Sequence, residues 1–354
     1  MRCVCAGRTR EGSVLGPGGS RHPTRRTSHC IIFQQWRVRL PSQRRSRRDA
    51  RHPHDPDRRS CREGPAVHTQ GGVTLIRRLY VSSDMEGTAG LATWPQVLQG
   101  HEDYPRAREL MTEEVLALCE GALDAGVEDI VVNDAHATMD NLLAERFPSQ
   151  VRCLQGSPKR FGMMAGLERF GPFDAVAFTG YHAPSGYALG TMAHTVTRRV
   201  HAMDVNGLPV GEAWMNAAYA AVHGVPVLFV SGDDQACDAV ASFQQGVHTV
   251  PVKWSVAEEA ALGLAPEAAR NAIREGIRVA LDRAAAQPAA VLPLPDAAYT
   301  ITIHFARAVH ADLAETLPTS TRTGPYGVSF THTSFPEVVR AYQTMTKLSL
   351  LATP

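Results

Sequence analysis
The chain has 354 residues, 44% apolar and 20% charged, the composition of a soluble globular protein with room for one large domain or two moderate ones. No apolar run approaches the ~20 residues that a bilayer-crossing helix needs, which excludes a membrane-spanning chain. The formal charge of +1 averages two unlike regions: residues 1–72 hold 16 Arg, no Lys and 5 acids, whereas the rest carries 20 basic and 30 acidic residues.

The basic head, rich in Pro, Gly and Ser and without periodicity, is expected to be disordered. Such a segment suits a nucleic-acid arm or a transit peptide. Its all-Arg composition fits better with GC-rich sequence translated upstream of a start at Val73, so the fold is expected to begin there. Four of the seven cysteines lie in the head. Cys119, Cys153 and Cys237 are widely spaced and form no C-x-x-C pair, which points to a reducing, cytoplasmic setting.

The first strand is expected over 75–83. Tyr104, Ala107, Met111, Val115, Leu118 and Ala122 then recur at helical spacing, with Gly126 placed to close the helix. A second strand spans 127–134, followed by a helical stretch near 141–147. "QVRCLQG" and "FDAVAFTGYH" read as two more strands with a short helix over 161–170 between them. From Gly180 a long loop of small residues leads into a hairpin turning at Asn206-Gly207. A helix over 212–222, the strand "VPVLFVSGDD" and another helix resume the alternation. A long helix over 265–287, strands "AYTITIHFA" and "YGVSFTH", and a helix over 335–350 complete the chain. Strands alternating with helices imply an α/β fold with a mainly parallel sheet and flanking helices. The expected layout is the head at 1–72, an α/β catalytic domain at 73–260, and a smaller α+β section at 261–354 packed on it.

Open α/β sheets bind ligands beyond the carboxyl ends of their strands. The first strand ends in "SSDMEGTAG", which delivers Asp84 and Glu86 into a Gly-bounded turn. The second ends in "NDAH", with Asp134 and His136, and the fourth in "TGYH", with His182. Two acids so close repel one another unless a cation, a shared proton or water separates them. Each residue alone has a plainer reading. Asp84 and Glu86 could be turn acids, Asp134 a cap, and His136 and His182 packing or loop histidines. His194 could be an idle loop residue, Glu212 an acid matching a helix dipole, and Asp233 and Asp234 caps of the next helix. His101, His201, His223, His248 and His304 have no converging neighbour. Acids and imidazoles gathered on one sheet edge without thiolates suit Zn, Mn or a similar divalent ion.

Taken together, "SSDMEGTAG", "VNDAH", "GYHA", "MAHT" and "VGE", in this order, resemble the D-aminopeptidases of peptidase family M55, over about residues 79–350. The resemblance implies a dinuclear zinc aminopeptidase, two Zn2+ per subunit, releasing N-terminal D-residues from short peptides, and a homo-oligomer of ten subunits in two stacked rings. It further implies Asp84 as bridging carboxylate, Glu86, His136, His182 and Glu212 as the other metal ligands, and His194 as the catalytic histidine. Neither nucleic acid nor a membrane is an expected partner. Two alternatives stay open. "DMEGT" also lies one methylene from the D-x-D-G-T motif of haloacid-dehalogenase-type Mg phosphatases, although the histidines fit a Mg site poorly. The other is a non-enzymatic metal-binding α/β module.

Overall fold
The stretch "RLYVSS" forms β1 (Arg78–Ser83), in which every residue from Leu79 onward is buried. A strand hidden on both faces must be covered on both, and crossover connections supply that cover. The structure, a computed structural model, describes residues 69–70, 73–295 and 297–352. The disordered head expected at 1–72 lies outside the described residues except for 69–70, which pair with 73–74 in a short ladder.

After β1 come α1 (Trp94–Val97), α2 (Tyr104–Asp124), β2 (Asp129–Asp134), β3 (Val151–Leu154), α3 (Leu167–Phe170) and β4 (Ala175–Tyr181). The middle of the chain forms β5 (Val200–Val205), β6 (Leu208–Pro209), α4 (Glu212–Val222), β7 (Val227–Asp233) and α5 (Asp234–Phe243). Then follow β8 (His248–Ala257), β9 (Ala260–Gly263), α6 (Pro266–Ala286), β10 (Tyr299–Phe305), α7 (Ala308–Ala314), β11 (Thr321–Arg322), β12 (Gly327–His332) and α8 (Phe335–Ser349).

Seven strands make the main sheet in the order β9-β8-β7-β4-β1-β2-β3, parallel throughout except for the edge strand β9. The chain winds outward from β1 in both directions, so β1 and β4 flank the point where the winding reverses, the usual position of a ligand crevice. Alternate residues of β1 serve opposite faces. Leu79 and Val81 join the core under α2 and α6, with Val115, Leu118, Ile273 and Ile277. Tyr80 joins the core on the other face, with Phe173, Tyr219 and the second sheet.

The second sheet, β11-β12-β10-β5-β6, is antiparallel. Its β5–β6 turn has Asn206 and Gly207 at φ of 53° and 79°, the left-handed pair such a tight hairpin requires. Val200, Met203, Ile301, Ile303 and Val328 form its apolar face, which packs against α7 and α8, while α8 also meets α4. The boundary expected at 260/261 therefore does not separate the two sheets. β5 and β6 precede it yet belong to the second sheet, and α6 follows it yet covers the first. An antiparallel partner is chosen by a free strand edge, which local periodicity does not encode.

Two local expectations change. The helix near 141–147 is a single 3-10 turn, Ala144–Arg146. The one over 161–170 is a turn, Gly162–Met164, followed by α3, because Phe161, Gly162 and Gly166 take positive φ that a right-handed helix cannot hold. The β8–β9 hairpin and α7 were not legible from periodicity, β8 being interrupted by Pro251. Among the described residues no helix is long and apolar enough to cross a membrane.

Candidate metal centre
The turn after β1 stays zipped to β4. The Asp84 N–H donates to the Thr179 carbonyl at 2.9 Å and the Gly87 N–H to the Gly180 carbonyl at 2.8 Å. This pairing explains a glycine in each motif. A Cβ on Gly87 would stand 1.9 Å from the Tyr181 oxygen, and one on Gly180, whose φ is +70°, would stand 2.0 Å from the Asp84 oxygen. Backbone lies on backbone here, and the side chains of both loops consequently open into one pocket. Met85, between the two acids, packs into the apolar core.

The pocket gathers the six residues that the resemblance to family M55 implies, Asp84, Glu86, His136, His182, His194 and Glu212. His136 Nδ1 lies 3.0 Å from Glu86 Oε2 and 3.3 Å from Asp84 Oδ1. His182 Nε2 lies 3.5 Å from Asp84 Oδ2 and 3.8 Å from Glu212 Oε1. Asp84 thus turns one oxygen to each histidine. His194 Nε2 is 3.7 Å from Glu86 Oε1, and its ring stacks on His182 at 4.1 Å with the Trp94 ring edge-on at 5.2 Å. His194 is the most open of the six at 9% exposure.

Each imidazole is pinned through its outer nitrogen. His136 Nε2 donates to the Val97 carbonyl at 2.8 Å, His182 Nδ1 to Ala183 at 2.9 Å and His194 Nδ1 to Met192 at 2.9 Å. The inner nitrogen is then the one that offers a lone pair whenever the ring is neutral, the arrangement by which backbone groups aim metal-binding histidines. The donor atoms fall into two groups, Asp84 with Glu86 and His136, and His182 with His194 and Glu212, each group's atoms lying within 4.8 Å of one another. Two donors about 2.1 Å from a tetrahedral ion stand about 3.4 Å apart; the measured spacings bracket that value. Oxygen and imidazole donors without sulfur fit a pair of divalent ions such as zinc.

Charge follows the same layout. Burial opposes ionisation of His182, but the hydrogen bond to Asp84 and the charge of Glu212 push it up to about 10. His136, equally buried, is raised well above its ordinary value by Glu86 and Asp84. Burial would raise Asp84 and Glu86, yet the two histidines hold Asp84 well below the carboxylate range and His136 lowers Glu86. Burial pushes Glu212 up to about 7, with His182 offsetting only part and Asp84 adding to it. Burial, then the charge on His182, push His194 down to about 4. His194 is the neutral base of the pocket at pH 7.

The other acids are structural. Asp134 accepts from the Asn141 and Leu142 N–H groups at 2.6 and 2.8 Å and so caps its own loop. Asp233 caps α5 through the Ala236 N–H and also takes the Ala183 N–H at 2.9 Å, bracing the backbone beside His182. Asp234 accepts from the Ser255 N–H at 3.0 Å. Among the described residues, His101, His201, His223, His248 and His304 join neither donor group.

Sequence reading missed Trp94, Glu114 and Lys253. Glu114 lies on the apolar stripe of α2 between Met111 and Leu118, and Lys253 interrupts the apolar run "VPVKW". A charge on an apolar stripe is the signal that could have found both.

Three comparisons bear on this geometry. The family model described as D-aminopeptidase, peptidase family M55, matches residues 77–344. A D-aminopeptidase of Bacillus subtilis strain 168 is 34% identical over 275 residues, 77% of this chain and 98% of the relative. The solved structure of the Zn-dependent D-aminopeptidase DppA from Bacillus subtilis, described as a self-compartmentalizing protease, superposes with a TM-score of 0.74 at 32% identity, covering 78% of this chain and 99% of that one. A match that spans the sheet, the loops and every residue of the pocket leaves one assignment: the chain belongs to peptidase family M55, the D-aminopeptidases.

Proposed function
We propose that the chain is a zinc-dependent aminopeptidase that removes N-terminal D-residues from short peptides. The observation that carries this reading is Asp84, whose two oxygens face His136 and His182 at 3.3 and 3.5 Å and so join two donor groups. An ion that does chemistry needs about three protein ligands and an open position. Asp84, Glu86 and His136 form one such set; Asp84, His182 and Glu212 form the other. His194 is surplus to both and is assigned to the reaction. Bound in pairs, divalent ions polarise a scissile carbonyl and acidify water.

The chain's own residues do the rest. His194 holds its proton at Nδ1, on the Met192 carbonyl, and leaves Nε2 free to take a proton from the attacking water and return it to the departing amine. The Trp94 edge and the stacked His182 ring fix the plane in which that transfer occurs. The histidines beside Asp84 and Glu86 argue against the phosphatase alternative, whose site is built from carboxylates, phosphate and water.

Self-compartmentalization is extended to this chain as a homo-oligomer, with the ten-subunit form expected of the family. The edge hairpin β8–β9 supports it, exposing Trp254, Val256 and Leu262 on an unpaired sheet edge. A cytoplasmic location is in keeping with Cys119, Cys153 and Cys237 being free thiols. The test is metal analysis of the purified protein together with a panel of D- and L-aminoacyl amides, with and without chelator. About two zinc per chain and chelator-sensitive release of D-residues are expected; activity untouched by metal removal would sink the proposal.

A further inference from the structure
The turn that carries Asp84 and Glu86 is held from behind by two buried charges that take no part in the pocket. Lys253, 1% exposed, donates from Nζ to the carbonyl oxygens of Glu86, of Leu91 at 2.7 Å and of Thr88 at 3.4 Å. Glu114, on α2, accepts the Ala89 N–H at 2.8 Å. The N–H groups of Asp84 and Gly87 are already taken by β4. The Asp84 and Gly87 N–H groups of the turn are thus held by β4 and that of Ala89 by one carboxylate, while three of its carbonyls share one ammonium.

A bulge aims the ammonium. β8 pairs Pro251 with Gly232 and then Lys253 with Asp233, so one extra residue sits in β8 at this point. The insertion breaks the alternation of the strand. Val252 and Lys253, consecutive in sequence, are both buried, Val252 in the core under α6 and Lys253 against the turn, while Trp254 faces outward. An ammonium withdrawn from water is destabilising unless its donors are satisfied, and an apolar residue of similar size commonly serves stability as well. An apolar residue cannot, however, fix three carbonyls of one turn. Burial opposes the charge of Lys253, and Asp233, then Glu114, lie near enough for their charges to offset part of that.

We propose that Lys253, with Asp233 and Glu114 as its counter-charges, is a positioning residue of the metal centre: it holds residues 84–91 in the shape that lets Asp84 and Glu86 bind ions together. The proposal rests on the metallo-aminopeptidase reading above. The test is chelator-competition titration of zinc into the metal-stripped full chain, for the wild type, Lys253→Met, Glu114→Gln and the core control Ile277→Val. Outer residues that orient ligands are worth about 10–100-fold in metal affinity. That loss is expected for Lys253→Met and Glu114→Gln, with most turnover returning at saturating zinc. Ile277→Val is expected to lower Tm and leave zinc affinity unchanged. If Lys253→Met does not fold, Glu114→Gln, which keeps an acceptor for the Ala89 N–H, carries the same expectation. A wild type that binds zinc beside variants that bind it equally well overturns this inference alone, as does a control that weakens binding as much as they do. A wild type that takes up no zinc overturns the metal centre with it.

Discussion

Gly87→Ala adds a single methyl group, yet it strikes the joint on which the pocket depends. The new Cβ would lie 1.9 Å from the Tyr181 oxygen and 2.5 and 2.6 Å from the carbonyl carbon and oxygen of Gly180, all backbone atoms that cannot swing aside. Real Cβ atoms are not found closer than 3.0 Å to such neighbours, so turn and strand must part by about 1 Å. Overpacking of this kind costs about 1–3 kcal/mol, and weakening the Gly87 N–H bond to Gly180 adds about 1 kcal/mol. A domain with about 5–15 kcal/mol in hand survives that. The site does not, because metal distances tolerate about 0.2 Å and a 1 Å misplacement costs about 100-fold in rate. Denaturant melts, zinc titration and kcat on a D-aminoacyl amide read the three quantities separately. Gly126→Ala is the control: its φ is +95° but no atom lies within 4 Å of the added methyl, so about 1 kcal/mol of strain is expected with zinc and turnover intact. A folded Gly87→Ala protein with wild-type zinc affinity and kcat would refute the claim that β4 pins the turn.

Asp84→Ala removes the group shared by both donor sets, and the expected result is loss of both ions by elemental analysis. Under the same measurement His194→Ala keeps its zinc, while kcat falls by about 100- to 10,000-fold, the range for loss of a general acid–base. At the opposite end of β1, Asp174 accepts the Arg77 and Arg78 N–H groups, both at 2.8 Å. Asp174→Ala should therefore cost about 1–3 kcal/mol in a denaturant melt and leave both zinc binding and turnover unchanged.

What the sequence disclosed and what it hid divide along one physical line. β1, β2, β4 and the helices α2, α4, α6 and α8 announce themselves because burial on a regular element imposes its own period. The pocket residues were legible because Asp84, Glu86, His136 and His182 sit at or just beyond strand ends, where a sheet of this winding collects ligands. Glu212 was weaker as a signal, since an acid at the start of a helix has an ordinary electrostatic reason to be there. The partners of the second sheet could not be read, because β5 meets β10 across 94 residues, as the Asn206–Thr300 hydrogen bond shows, and nothing local names that partner. Lys253 was hidden for a different reason. Its burial depends on a bulge, and a bulge shifts the alternation by one residue without changing composition.

The two halves of the pocket are also supported differently. Asp84, Glu86 and His136 stand on the ends of β1 and β2, in the middle of the main sheet. His182, His194 and Glu212 belong to the segment that leaves β4, passes Trp94 and the β8–β9 hairpin, enters the second sheet and returns as α4. The Met192 N–H donates to the Glu258 carbonyl at 2.6 Å, and the Val196 N–H donates to the Glu212 carboxylate. Through these bonds the His194 loop is tied at one end to the sheet edge and at the other to α4, whose Met215 and Tyr219 lie in the core shared by both sheets. Glu212 is consequently placed by the packing of the second sheet, whereas Glu86 is placed by the first. Asp84, with an oxygen toward His136 on one side and His182 on the other, is the carboxylate through which a shift in the second layer would reach the donors on the main sheet.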